Sequence, residues 1–120
     1  MWNTIIIAMA LLLTAGVANA APIRLICDGT LTHTFVQSKE VRTVLIDLSA
    51  KTVTLENAGS APISETGEDR ISFSEKDPLR PPPHFGLRWG SVNRTSGAIY
   101  AHIDEADEFE GTCKPAQKLF

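Results

Sequence analysis

Several things are scarce in this chain of 120 residues. Cys27 and Cys113 are its only cysteines, so no Cys-x-x-Cys pair exists to make a redox centre or half a zinc site. No serine sits in a Gly-x-Ser-x-Gly elbow, and no serine, histidine and acid can be matched as a triad, which leaves nucleophilic hydrolysis without a carrier. Basic residues number 11 against 14 acidic ones, a formal net charge of -3. That balance argues against nonspecific nucleic-acid binding, which depends on displacing phosphate counterions with a basic surface. No stretch after residue 20 sustains a 3.6-residue apolar period, so long amphipathic helices are not expected.

The longest apolar run, Ile5 to Leu13, has nine residues, against about 20 for a membrane-spanning helix. Gly16 ends it, and Ala18-Asn19-Ala20 supplies the small residues a signal peptidase accepts. Residues 1–20 therefore read as a signal peptide cleaved after Ala20, with 21–120 as one mature domain lacking a membrane span. The n-region carries no Lys or Arg, and no Cys follows the run in a context that would receive lipid. A periplasmic or secreted location follows, and in an oxidising compartment Cys27 and Cys113 read as one structural disulfide tying the ends of the domain together.

What is present in the mature segment is β patterning. Ile23, Leu25, Cys27, Gly29, Leu31, His33 and Phe35 alternate with polar residues, the mark of a half-buried strand. Gly29 is a candidate bulge, or Asp28-Gly29 a hairpin turn. Val41 to Leu48 and Thr52 to Leu55 form a hairpin across Ser49-Ala50-Lys51. Ile63 and Ile71 to Phe73 are further short strands around the turn Thr66 to Asp69. The four prolines between Asp77 and Gly86 make a stiff exposed connection. Leu87 to Val92 and Ala98 to Ile103 flank a turn in which Gly97 suits positive φ, and Phe109 to Lys114 supplies a last strand. Ser38 to Leu45 has room for a single helical turn. The expected fold is all-β, a small antiparallel barrel or sandwich of six to eight short strands.

Candidate functional residues are few. His102 and Asp104 share a strand face, but a metal needs three or four ligands and no third is named. Five carboxylates fall between Asp104 and Glu110 without the glycine and donor spacing of a calcium loop, and read as a solvated turn. No metal or cofactor is expected. Arg80, Arg88 and Arg94 occur with no carboxylate among them, interleaved with His84, Phe85 and Trp89. Arg beside aromatics is the composition of interface anchors. The competing reading gives Trp89 and Phe85 to the core, since a small domain has seven aromatics after residue 20 to build it from.

Two resemblances bear on function. Val44-Leu45-Ile46-Asp47-Leu48, Ile71-Ser72-Phe73, the run Gly90 to Gly97, and Cys113-Lys114-Pro115 with Leu119-Phe120 together resemble the layout of small uncharacterised exported proteins of proteobacteria. The likeness covers most of the mature chain, and implies compartment and a β fold without an activity. Ser96-Gly97-Ala98-Ile99-Tyr100 resembles the Ser-Gly-x-x-Tyr element of periplasmic inhibitors of c-type lysozyme, small disulfide-tied barrels that insert a loop into the lysozyme cleft. That likeness implies that Ser96 and Tyr100 lie at an inhibitory loop. The chain departs from those inhibitors in lacking the Trp-x-Lys-Gly strand, since Ala101 to Glu110 has neither Trp nor Lys. The reading is a non-enzymatic periplasmic binding or accessory protein, its partner an unidentified protein or small ligand, with lysozyme inhibition as the alternative.

Overall fold

The computed structural model describes residues 21–116. Residues 1–20, read above as a signal peptide, and Leu119-Phe120 lie outside the described residues. Eight strands follow one another as β1 (Ile23–His33), β2 (Val36–Asp47), β3 (Thr52–Leu55), β4 (Gly59–Thr66), β5 (Arg70–Ser74), β6 (Leu87–Asn93), β7 (Ala98–Ile103) and β8 (Asp107–Pro115). Each pairs antiparallel with its sequence neighbours, and β8 pairs with β1 to close a barrel. Among the described residues no helix is long and apolar enough to cross a membrane. The even strand number lets the last strand meet the first antiparallel, and closure removes the unpaired edges an open sheet would expose.

Alternation places one residue in two inside. Val44 and Ile46 of β2, Val53 and Leu55 of β3, Ile71 and Phe73 of β5, Ile99, Ala101 and Ile103 of β7, and Phe109 of β8 are all buried. Burying a large apolar side chain stabilises by about 1.5–3 kcal/mol, so this stripe is the main favourable term. Small residues make room for large ones. A Cβ at Gly90 would stand 2.7 Å from the Phe73 ring and 2.0 Å from the Tyr100 carbonyl oxygen. Toward the upper end Arg42 reaches over Phe109, its guanidinium 5.7 Å from the ring centre, and donates to Glu40 Oε1 at 2.7 Å.

The turns set the two ends. At the lower end, Asp47 Oδ1 accepts from Ser49 N, Ser49 Oγ and Ala50 N, and Asn93 Oδ1 accepts from Thr95 N and Ser96 N. A short side-chain acceptor thus nucleates both the β2–β3 and β6–β7 hairpins. The turns then close through Lys51 and Gly97, at φ 57° and 78°. The upper end carries the β1–β2 tip, the proline-rich connection between β5 and β6, and the β7–β8 turn.

Three expectations are corrected. Gly29 is neither a bulge nor a turn: β1 runs through it with unbroken register to β2 and β8. A Cβ there would meet Glu110 O at 2.2 Å, so glycine serves the close approach of β1 to β8. Ser38 to Leu45 is strand throughout, because pairing with β1 satisfies its backbone and overrides any local helical preference. Phe35 leaves the inward stripe altogether. The alternation stops at His33, and Phe35 sits 97% exposed in a two-residue turn with φ of 69°, after Thr34 at 47°.

Candidate functional site

The outer face of β6, β7 and β8 brings together Trp89, Tyr100, His102, Glu108 and Glu110. Trp89 on β6 is in register with His102 on β7, and their rings stack with centres 5.1 Å apart and planes 8° from parallel. Tyr100 flanks Trp89 at 5.4 Å and 45°. On β8, Glu110 stands opposite Tyr100 and Glu108 opposite His102. His102 Nδ1 lies 3.8 Å from Glu108 Oε1, beyond hydrogen-bond reach. The Tyr100 phenol is pushed up to about 12, first by burial, then by hydrogen bonding to Glu108 and by the charges of Glu108 and Glu110. The result is a three-ring platform with an acidic border.

Trp89 is 43% exposed and Phe85 76%, which corrects their assignment to the core. Phe85 lies in the connection ahead of β6, and for Trp89 the cause is a register shift between Leu87 and Trp89. Simple alternation would send both residues inward. The irregularity at Arg88 changes the parity, so Leu87 is buried while Trp89 faces out.

The arginines are not brought together. Arg88 is mostly buried, with Nε donating to Glu75 Oε2 at 2.7 Å and Nη1 to the Asp104 carbonyl at 3.4 Å. Its charge is answered by a carboxylate from β5's end, outside the segment that looked uniformly basic. Arg80 is exposed in the upper connection, and Arg94 lies in the lower β6–β7 turn, donating to Gly67 O at 2.9 Å. Ser96 is exposed in that same turn, its hydroxyl accepting from Ala98 N at 3.2 Å. It marks the lower end of the hairpin whose wall carries Tyr100.

One cluster had no sequence signal. His84 is buried, with Nδ1 3.3 Å from Glu75 Oε1 and its backbone N–H donating to Glu105 Oε1 at 2.6 Å. Burial works to raise the Glu75 carboxyl, but the hydrogen bond and charge of Arg88, aided by His84, hold it below the usual range. These groups pin the proline-rich connection to the barrel end. The acidic run is similarly dispersed: Asp104 Oδ1 accepts from Gly86 N at 2.6 Å, Asp107 pairs with His33, and Glu108 and Glu110 border the wall. His102 and Asp104 thus serve separate structures. Among the described residues no group of His, Cys, Asp and Glu is arranged to hold a metal ion.

No family model matches the chain, and no curated protein or solved structure matches it either.

Proposed function

We propose that this is a non-enzymatic binding protein of the periplasm that recognises a partner with a cationic surface through the Trp89–Tyr100–His102 wall. The observation that carries it is a stacked aromatic platform left open on the outside of a barrel, with Glu108 and Glu110 beside it. Exposed Trp and Tyr provide large contact area at low entropic cost, and a ring face attracts ammonium or guanidinium groups. The neighbouring carboxylates favour the same partners. A cross-strand disulfide suits the oxidising compartment that the leader implies. Affinity capture from the native periplasm tests this. A partner held by the wild type, released by salt and lost on Trp89→Ala, but kept on Lys51→Ala, supports the wall, and equal capture by Trp89→Ala overturns it.

A second reading is inhibition of a c-type lysozyme through the hairpin around Ser96 and Tyr100. It is favoured by the position of both residues on one hairpin of a disulfide-closed barrel, with carboxylates beside Tyr100 that complement a cationic enzyme. An inhibition assay separates the two: no inhibition by the wild type, or unchanged inhibition on Tyr100→Ala, removes this reading.

A further inference from the structure

The lower mouth of the barrel is built differently from the wall. It opens into a cavity of about 410 Å³, at the small end of the range for small-molecule sites, roughly 300–1,000 Å³. The floor is Ile46, Ile71 and Val92, and Leu25 forms part of the side. Beyond the floor the interior is filled by Phe109 and its neighbours, so the cavity ends blind. The rim carries Arg94 and Lys114, and no carboxylate lines the cavity. Neither cation is in an ion pair among the described residues. Arg94 is also held in place, since its backbone N–H donates to Asp69 O at 2.7 Å and Nη1 to Gly67 O at 2.9 Å.

An apolar blind cavity under two cations selects for a molecule with a hydrocarbon end and an anionic head. We infer that the lower mouth binds a single-chain anionic amphiphile, its chain on Ile46, Ile71 and Val92 and its carboxylate on Arg94 and Lys114. One chain enters and two do not, because the space is small and the β6–β7 turn borders it. An eight-stranded barrel has room for one small ligand at most beside its packed core. The held Arg94 and the neighbouring Lys114 supply specificity, and the apolar burial supplies most of the affinity.

The test uses the mature, oxidised protein with decanoate, decanol and decyltrimethylammonium as probes, followed by calorimetry and amide chemical shifts. Saturable decanoate binding is expected, with shifts centred on Val92, Arg94 and Lys114. Decanol should bind at least tenfold more weakly and the ammonium probe not at all. Lys114→Glu and Arg94→Glu should each weaken decanoate tenfold or more, while Arg94→Lys retains most of it, each variant being checked for a native amide spectrum. No saturable decanoate binding, decanol bound as tightly, or shifts centred on Trp89 and Tyr100 would overturn the inference. The wall is not involved, so Trp89→Ala should leave decanoate binding unchanged, and failure here leaves the protein-partner reading standing.

Discussion

Cys27 and Cys113 stand directly opposite each other on β1 and β8, joined by a disulfide, with Cα atoms 3.9 Å apart and a sequence separation of 86. The bond therefore crosses the seam where the barrel closes, the longest-range pairing the fold has to make. Joining the two ends covalently restricts the unfolded chain at the place where closure costs most entropy.

Replacing both cysteines by serine is expected to lower stability by up to about 4–5 kcal/mol, the chain-entropy figure for a loop of this length. Denaturant titration of the oxidised protein and the double variant measures it. An unchanged midpoint would mean that strand pairing alone holds the seam.

Gly90→Ala is expected to destabilise by about 1–3 kcal/mol, the usual range for overpacking, because the added Cβ would collide with the Tyr100 carbonyl and the Phe73 ring. The backbone oxygen cannot rotate away as a side chain could. A companion Phe73→Leu substitution should recover only part of the loss, and thermal melts of the two variants report it.

Tyr100 is the only tyrosine, so its ionisation can be followed without overlap by phenolate absorbance. Deprotonation is expected near pH 12 rather than 10.0. A phenol raised in the folded state contributes stability that is full below its unfolded value and is lost as pH rises through about 12. Glu108→Gln should move the midpoint back toward 10.0, and a midpoint already there in the wild type would contradict the burial of the ring edge.

Glu75→Gln is expected to cost about 1–3 kcal/mol at neutral pH, since Arg88 and His84 lose a charged partner in a buried place. The Glu75 carboxyl is depressed, so its contribution is full above the ordinary value of 4.5 and is lost as pH falls through the folded-state value. Denaturation midpoints of wild type and variant should converge in acid, and a constant gap at all pH values would argue against the ion pair.

Thr34 and Phe35 both occupy left-handed backbone at the β1–β2 tip, where asparagine and glycine are the favoured pair. Exchanging them for Asn-Gly is expected to stabilise by about 1–2 kcal/mol through relief of that strain. A loss of stability on that exchange would show that the exposed Phe35 makes a contact worth more than the strain.

Much of the fold was legible in the chain. Period-two alternation marks β1, short runs rich in β-branched and aliphatic residues mark β2, β3, β5 and β7, and the turn residues mark the lower hairpins because Asp, Asn and Gly act locally. The cysteine pairing followed from their number. The site was less legible. Tyr100 and Trp89 were singled out, yet their meeting with His102, Glu108 and Glu110 depends on cross-strand register, which no local pattern specifies.

By itself the sequence determined an all-β domain, the β2–β3 and β6–β7 hairpins and the disulfide, since alternation, turn chemistry and a lone cysteine pair are local or countable properties; the β1–β2 hairpin at Thr34-Phe35 was not among them. Tertiary structure alone decided barrel over sandwich, because closure depends on whether the last strand reaches the first. It also decided which way Trp89 faces, because one register shift beside Arg88 reverses the parity of everything after Leu87 on β6. The arginines were separated in the same way: Glu75, 13 residues from Arg88 in sequence, reaches it only across the folded end of the barrel.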